Sequence, residues 1–141
     1  MEKIPELKFE GEPKIIINAL IIREGRLLLV KKKDVWILPG GKLEKGESDL
    51  KCLKRELKEE LSSSIQLVSS VFLKKFRGGR APHSGYEVLV KAYLSEITGT
   101  PSADGRYDSV NEIAWVNNFQ EYDLSETTEK IIVFLQKNNI L

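Results

Sequence analysis

The run Gly41-Lys42-Leu43-Glu44-Lys45-Gly46-Glu47-Ser48-Asp49-Leu50-Lys51-Cys52-Leu53-Lys54-Arg55-Glu56-Leu57-Lys58-Glu59-Glu60 passes from a glycine-containing loop into a helix. Ser48 suits an N-cap, because its hydroxyl can accept from an orphaned amide, and Asp49 stands where the helix dipole favours a carboxylate. The following residues are rich in Leu, Lys and Glu, which predicts a helix from about Asp49 to Leu61, ended by Ser62-Ser63-Ser64. At about 100° per residue, Leu50, Leu53, Leu57 and Leu61 form one apolar stripe for a sheet to cover.

Glu56, Glu59 and Glu60 differ by three and four positions, so their carboxylates lie on one side of that helix. Like charges at this spacing destabilise a helix by roughly 0.2 to 0.5 kcal/mol per pair unless a cation sits among them. A divalent cation would turn the repulsion into binding, and carboxylate oxygens suit magnesium or manganese, which in turn pair with phosphate. The plain alternative is an exposed helix rich in Lys and Glu, with Lys54 and Lys58 toward solvent. Two neighbouring features favour the metal. The Pro39-Gly40-Gly41 break lets backbone approach an anion or metal closely, and Gly46-Glu47 sets a further carboxylate just before the helix.

Working outward, Ile15 to Ile22 and Leu27 to Val30 flank Arg23-Glu24-Gly25-Arg26 and predict a buried β-hairpin. Val35 to Leu38 is a short strand that Pro39-Gly40-Gly41 stops, and the chain is expected to loop from there to Ser48. Beyond the helix, Ile65 to Phe76 and Tyr86 to Ile97 predict an antiparallel pair. Glu112 to Val116 is a short strand. Ser125 caps a closing helix to Asn138 with Ile131, Ile132, Phe134 and Leu135 inward. The expected order is β-β-β-α-β-β-β-α, a mixed sheet with helices, with residues 1–13 as an N-terminal arm and 14–141 as one domain.

Composition narrows the function. Lys plus Arg at 22 against Asp plus Glu at 21 leaves a formal charge of +1, so no global field selects DNA or a membrane. One cysteine and one histidine cannot build an ordinary zinc site, so a metal here needs oxygen ligands. The charged N-terminus and the lack of an apolar run of about 18 residues make a soluble, cytoplasmic protein the default. Cys52 near the carboxylates is assigned packing alone, since reactivity needs an electropositive setting.

The order Gly-x5-Glu-x7-Arg-Glu-U-x-Glu-Glu, with U aliphatic, is met by Gly41, Glu47, Arg55, Glu56, Leu57, Glu59 and Glu60. This resembles the Nudix box, here at about 41–62, and the chain resembles a Nudix hydrolase with a MutT-like domain over nearly its whole length. The resemblance implies an α/β fold, an α/β/α sandwich with a mixed β-sheet between helices. It implies a nucleotide pyrophosphohydrolase that cleaves the diphosphate linkage of a nucleoside diphosphate derivative with Mg2+ or Mn2+. Glu56, Glu59 and Glu60 would hold the metal with a backbone carbonyl near Gly40, and Arg55 would orient Glu56. The general base would be Glu59 or Glu56, with Glu112 as an outside candidate and Glu87 and Glu96 behind it. Gly41 and Glu47 would be structural, Glu47 with a metal role as its alternative. The box usually continues with Gly and an aliphatic residue where Ser62 and Ser63 stand, which implies a shifted helix end with Ile65 supplying the apolar contact.

Substrate choice lies outside the box. Arg77, Arg80 and His83 form a basic loop that could meet terminal phosphates, Glu112 stands at a strand start, and Trp36, Phe76, Tyr86 and Trp115 are aromatic candidates for stacking, both tryptophans more consistent with a core. A small nucleotide is the expected partner, and the protein a monomer or homodimer. Two further readings remain open: a Nudix-fold module that senses a nucleotide without turnover, and an RNA-binding or RNA-end processing protein drawing on Lys31-Lys32-Lys33, Lys74, Lys75, Arg77 and Arg80.

Overall fold

Alternation along two strands sets the layers. Lys14–Leu20 (β1) and Arg26–Lys32 (β3) carry apolar side chains on both faces. Ile17 and Ala19 of β1, with Leu28 and Val30 of β3, enter a core shared with Cys52, Leu53, Leu57 and Leu61. The intervening Leu20, Leu27 and Leu29 enter a second core with Ile131, Ile132 and Leu135. Since successive side chains on a strand point to opposite faces, these strands must lie between two helices. The computed structural model, which describes residues 13–78, 87–103 and 110–141, is thus an α/β/α sandwich.

The remaining elements are β2 (Ile22–Arg23), β4 (Val35–Ile37), β5 (Gly40–Lys42), α1 (Asp49–Glu60), β6 (Gln66–Arg77), β7 (Val88–Thr98), β8 (Glu112–Val116), a 3-10 turn at Phe119–Glu121 and α2 (Glu126–Lys137). One sheet is mixed, in the order β5-β1-β7-β6, with β1 parallel to β7 in register Lys14↔Val88 through Leu20↔Leu94. The second is antiparallel, with β2, β4 and β8 all paired to β3. The β6–β7 pair is antiparallel as expected, with register shifts at Leu67/Ser69 and Phe72/Lys74.

Three expectations are corrected. The hairpin at Arg23–Arg26 is confined to β2 and the start of β3, because the chain leaves the mixed sheet after Leu20; Glu24 and Gly25, at φ 51 and 74, make the tight turn. The segment after Pro39 is not all loop: Gly40–Lys42 pairs with Asn18, Ile17 and Ile16. Leu50 is 46% exposed and is not buried with the helix stripe. On the helix wheel Leu50 lies between buried Leu57 and Leu61, so its exposure belongs to its place in the first turn of α1, and Glu60 falls near the middle of the arc from Cys52 to Leu61.

Ser48 and Ser125 cap their helices as expected, accepting from Lys51 N and Thr128 N. The α2 stripe is as expected, with Ile131, Ile132 and Leu135 buried and Phe134 packed beside them. After Leu61, Ser62 adopts φ 157, a conformation that favours glycine, and buried Ile65 joins the core beneath α1. Among the described residues no helix is long and apolar enough to cross a membrane.

Candidate active site

Two glycines bring a strand against the acidic side of α1. At Gly40, φ is 138 and a Cβ would overlap the Ile17 carbonyl oxygen. At Gly41 a Cβ would fall among the carboxylate atoms of Glu56, 2.6 Å from Oε2. Only glycine therefore lets β5 lie between β1 and the helix at this separation. The Gly40 amide, freed to face α1, donates to Glu60 Oε1 at 2.8 Å.

Glu60 is the buried member of the trio, at 3% exposure. Lys32 Nζ lies 2.6 Å from its Oε2, a close ion pair and the one partner that oxygen has among the described residues. Burial pushes the Glu60 carboxyl up to about 7, against the pull of Lys32 and the Gly40 amide. Glu56 is raised for the same first reason, burial, with Arg55 opposing. Glu59 keeps a side chain 33% exposed.

Arg55 organises the acids in front of it. Its Nε and Nη2 grip Glu47 at 2.8 and 2.9 Å, Nη1 binds Glu56 at 2.7 Å and lies 3.5 Å from Glu59, and Nη2 also donates to the Lys42 carbonyl at 3.2 Å. The Glu47 carboxyl is held down to about 2, first by Arg55 and then by the Glu44 amide, and the Arg55 guanidinium is raised in return, chiefly by Glu47. Both Glu47 oxygens are thus engaged: Oε2 by Arg55, and Oε1 by Arg55 and by the Glu44 amide at 3.0 Å. The arrangement closes the loop onto the helix.

The chemistry of this donor set suits a divalent cation: three carboxylates at helical spacing, one of them buried with a lysine ammonium already drawn to it. Among the described residues no three acidic, histidine or cysteine groups already converge on one point, because Glu60 turns toward Gly40 and Lys32 while Glu56 turns to Arg55. Cys52 is fully buried, and burial, followed by Glu47, pushes its thiol up to about 12, in keeping with a packing role.

Other candidates fall elsewhere. Glu112 pairs with Lys31 at 3.2 Å and is 59% exposed. Lys31 shares a β3 face with Leu27 and Leu29, the face turned from α1, so Glu112 is not brought to the carboxylates. Arg77, 75% exposed, lies 3.6 Å from Glu87, and its carbonyl accepts from Lys130 of α2. Glu96 is an exposed β7 residue. Trp36 packs edge-on to Tyr122 at 5.1 Å, and Arg23 lies over Trp115 at 5.3 Å, so both tryptophans serve packing. Arg80, His83, Tyr86 and the N-terminal arm up to residue 12 lie outside the described residues.

Two contributors escape the motif. Lys32 follows Leu28 and Val30 at period two, on the face that meets α1, a signal present in the sequence. Asp49 accepts from Lys91 at 3.2 Å and from the Tyr93 hydroxyl, tying the start of α1 to β7. Burial, then Asp49, pushes Tyr93 up to about 12.

Comparison with known proteins gives the family and the fold. No curated protein matches the chain. Among solved structures, a MutT NUDIX hydrolase from Burkholderia pseudomallei is 26% identical, with TM-score 0.71, over 85% of this chain and 95% of that one. A NUDIX hydrolase from Nitrosomonas europaea is 20% identical, with TM-score 0.74, over 92% and 96%. A bifunctional NMN adenylyltransferase/ADP ribose pyrophosphatase from Francisella tularensis is 24% identical, with TM-score 0.66, over 92% of this chain and 42% of that one. The NUDIX domain profile matches residues 13–132, a span that holds both glycines, Arg55 and all four engaged glutamates, and the chain belongs to the Nudix family.

Proposed function

We propose that the protein is a Nudix pyrophosphohydrolase that opens the phosphoric anhydride of a nucleoside diphosphate derivative, with Mg2+ or Mn2+ held by Glu56, Glu59, Glu60 and a carbonyl near Gly40. The observation that carries this reading is Glu60, a carboxylate buried at 3% exposure and met at Oε2, among the described residues, by the partly exposed Lys32 alone, beside two further carboxylates on the same helix side. Burying a carboxylate is costly and calls for a charge partner or a function. When bound, a divalent cation offsets diphosphate charge and supplies an activated water.

The chain's own residues supply position and proton transfer. Arg55 fixes Glu56 and, through Glu47, holds the glycine loop against the helix, so it is a positioning residue. Glu59 is the best-placed base, because it is the most exposed of the trio and its 3.5 Å contact with Arg55 is longer than the 2.7 Å contact of Glu56. Glu56 is the alternative base, at the expense of its 2.7 Å bond to Arg55. Beside the loop lies a cleft of about 790 Å3 lined by Lys14, Ile15, Lys42 and Leu43 among others, large enough for part of a nucleotide. The reading takes residues 14–141 as one catalytic domain working in the cytoplasm, as monomer or homodimer, with Arg77 and Arg80 as contacts for terminal phosphates.

The test is a panel of nucleoside triphosphates, nucleotide sugars, ADP-ribose and dinucleoside polyphosphates incubated with purified protein in Mg2+, Mn2+ or EDTA. Product from one class, absent in EDTA, is expected. Nucleotide binding without product in either metal would replace the enzyme with a sensor.

A further inference from the structure

Lys32 lies outside the box, yet it stands closer to Glu60 than any other described cation. Its ammonium is 2.6 Å from Oε2, while the Gly40 amide satisfies Oε1. Arg55 cannot substitute, since its nitrogens are committed to Glu47, Glu56, Glu59 and the Lys42 carbonyl. Lys31 points to the opposite face, toward Glu112.

The two partners differ in freedom. The Glu60 side chain is 1% exposed, on a helix anchored by buried Leu57 and Leu61, so its carboxylate cannot retreat to water. The Lys32 side chain is 29% exposed at the end of β3, on a flexible four-carbon stem, so its ammonium can. An ion pair whose cation has a route to water, and whose carboxylate does not, is one in which another cation can replace the first.

We propose that Lys32 is a displaceable counter-ion, whose ammonium neutralises Glu60 until a divalent cation takes Oε2 and which then passes to a phosphate oxygen of the substrate. The inference rests on the proposed metal site and adds to it a positioning residue that couples metal entry to phosphate capture. The charges balance: the site gives up one positive charge for two, and the freed ammonium meets the anion that arrives with the substrate.

The experiment is NMR of the full chain labelled at lysine 13Cε and 15Nζ, with Lys32 assigned by its loss in Lys32→Arg, titrated with Mg2+ alone. The expected result is a Lys32 signal that moves to the position of a solvated lysine in step with backbone shifts at Glu56, Glu59 and Glu60. Backbone shifts with an unmoved Lys32 signal would overturn this proposal alone, leaving the metal site intact. No shift anywhere would overturn the metal site and this proposal together. In a second readout, Lys32→Met at pH 8.5 is expected to bind Mn2+ roughly tenfold more tightly by EPR while KM for the panel's substrate rises roughly tenfold. A merely structural loss would weaken both, and that outcome would reject the displacement.

Discussion

Glu60→Gln should make the metal-free protein more stable at alkaline pH while removing a metal ligand. In the unfolded chain this carboxyl titrates near 4.5, and in the fold burial pushes it up to about 7. Below the unfolded value both states are protonated and the group does not oppose folding. As pH rises toward 7 the unfolded chain ionises first, and above the folded value the buried carboxylate opposes folding by about 3 kcal/mol. The effect of Lys32 is already contained in that figure.

Glutamine keeps the acceptor for the Gly40 amide and has no charge to bury. Removing one partner of a buried ion pair is destabilising when the other charge is stranded. Lys32 is 29% exposed and can reach water, so it is not stranded. Urea unfolding of wild type and variant in EDTA should therefore coincide near pH 4 and diverge by up to about 3 kcal/mol, variant higher, near pH 8. The contribution of Glu47, present above its unfolded value and lost as pH falls toward about 2, is common to both chains and cancels. Saturating Mg2+ should narrow or reverse the gap, since ligand binding stabilises only the chain that binds it. A variant less stable than wild type at pH 8 in EDTA would show instead that the Gly40–Glu60–Lys32 contact is a net stabiliser.

Gly41→Ala should displace Glu56 or part β5 from α1, because the new methyl falls among the Glu56 carboxylate atoms; a loss of about 1 to 3 kcal/mol and of most activity is expected in denaturant melts and assays. Ser62→Gly should raise stability by about 0.5 to 1 kcal/mol through relief of φ 157, offset in part by loss of the Ser62 Oγ contact with Ser64 Oγ at 2.9 Å, and kcat should not change. Arg55→Lys should lower turnover at least about tenfold with little loss of helix by circular dichroism, because one ammonium cannot span Glu47, Glu56 and the Lys42 carbonyl together.

Much of this geometry is legible in the residues. Ser48 and Ser125 announce their helices by local hydrogen bonding, which needs no distant partner. The box glutamates share a helix side by spacing alone. What escaped depends on tertiary pairing: Gly40–Lys42 has poor strand propensity and becomes β5 only because β1 lies beside it. Leu50 shares the direction of the stripe, yet it stands in the first turn of α1, short of the core that takes Leu53, Leu57 and Leu61. Leu53, Leu57 and Leu61 suffice to anchor it, each contributing roughly 1.5 to 3 kcal/mol on full burial, enough to outweigh the single buried carboxylate. The division of Lys14–Lys32 between two sheets is set by the bend after Leu20, which no local periodicity records.

Whether the acidic side of α1 performs metal-dependent hydrolysis is decided by comparing wild type with Glu59→Gln on one phosphoric anhydride substrate in Mg2+. Glu59 is 33% exposed, so the exchange should leave the unfolding midpoint nearly unchanged. Turnover should fall at least about 100-fold in a chain that is still folded. Equal turnover in the two proteins would contradict that and move the chemistry off this helix.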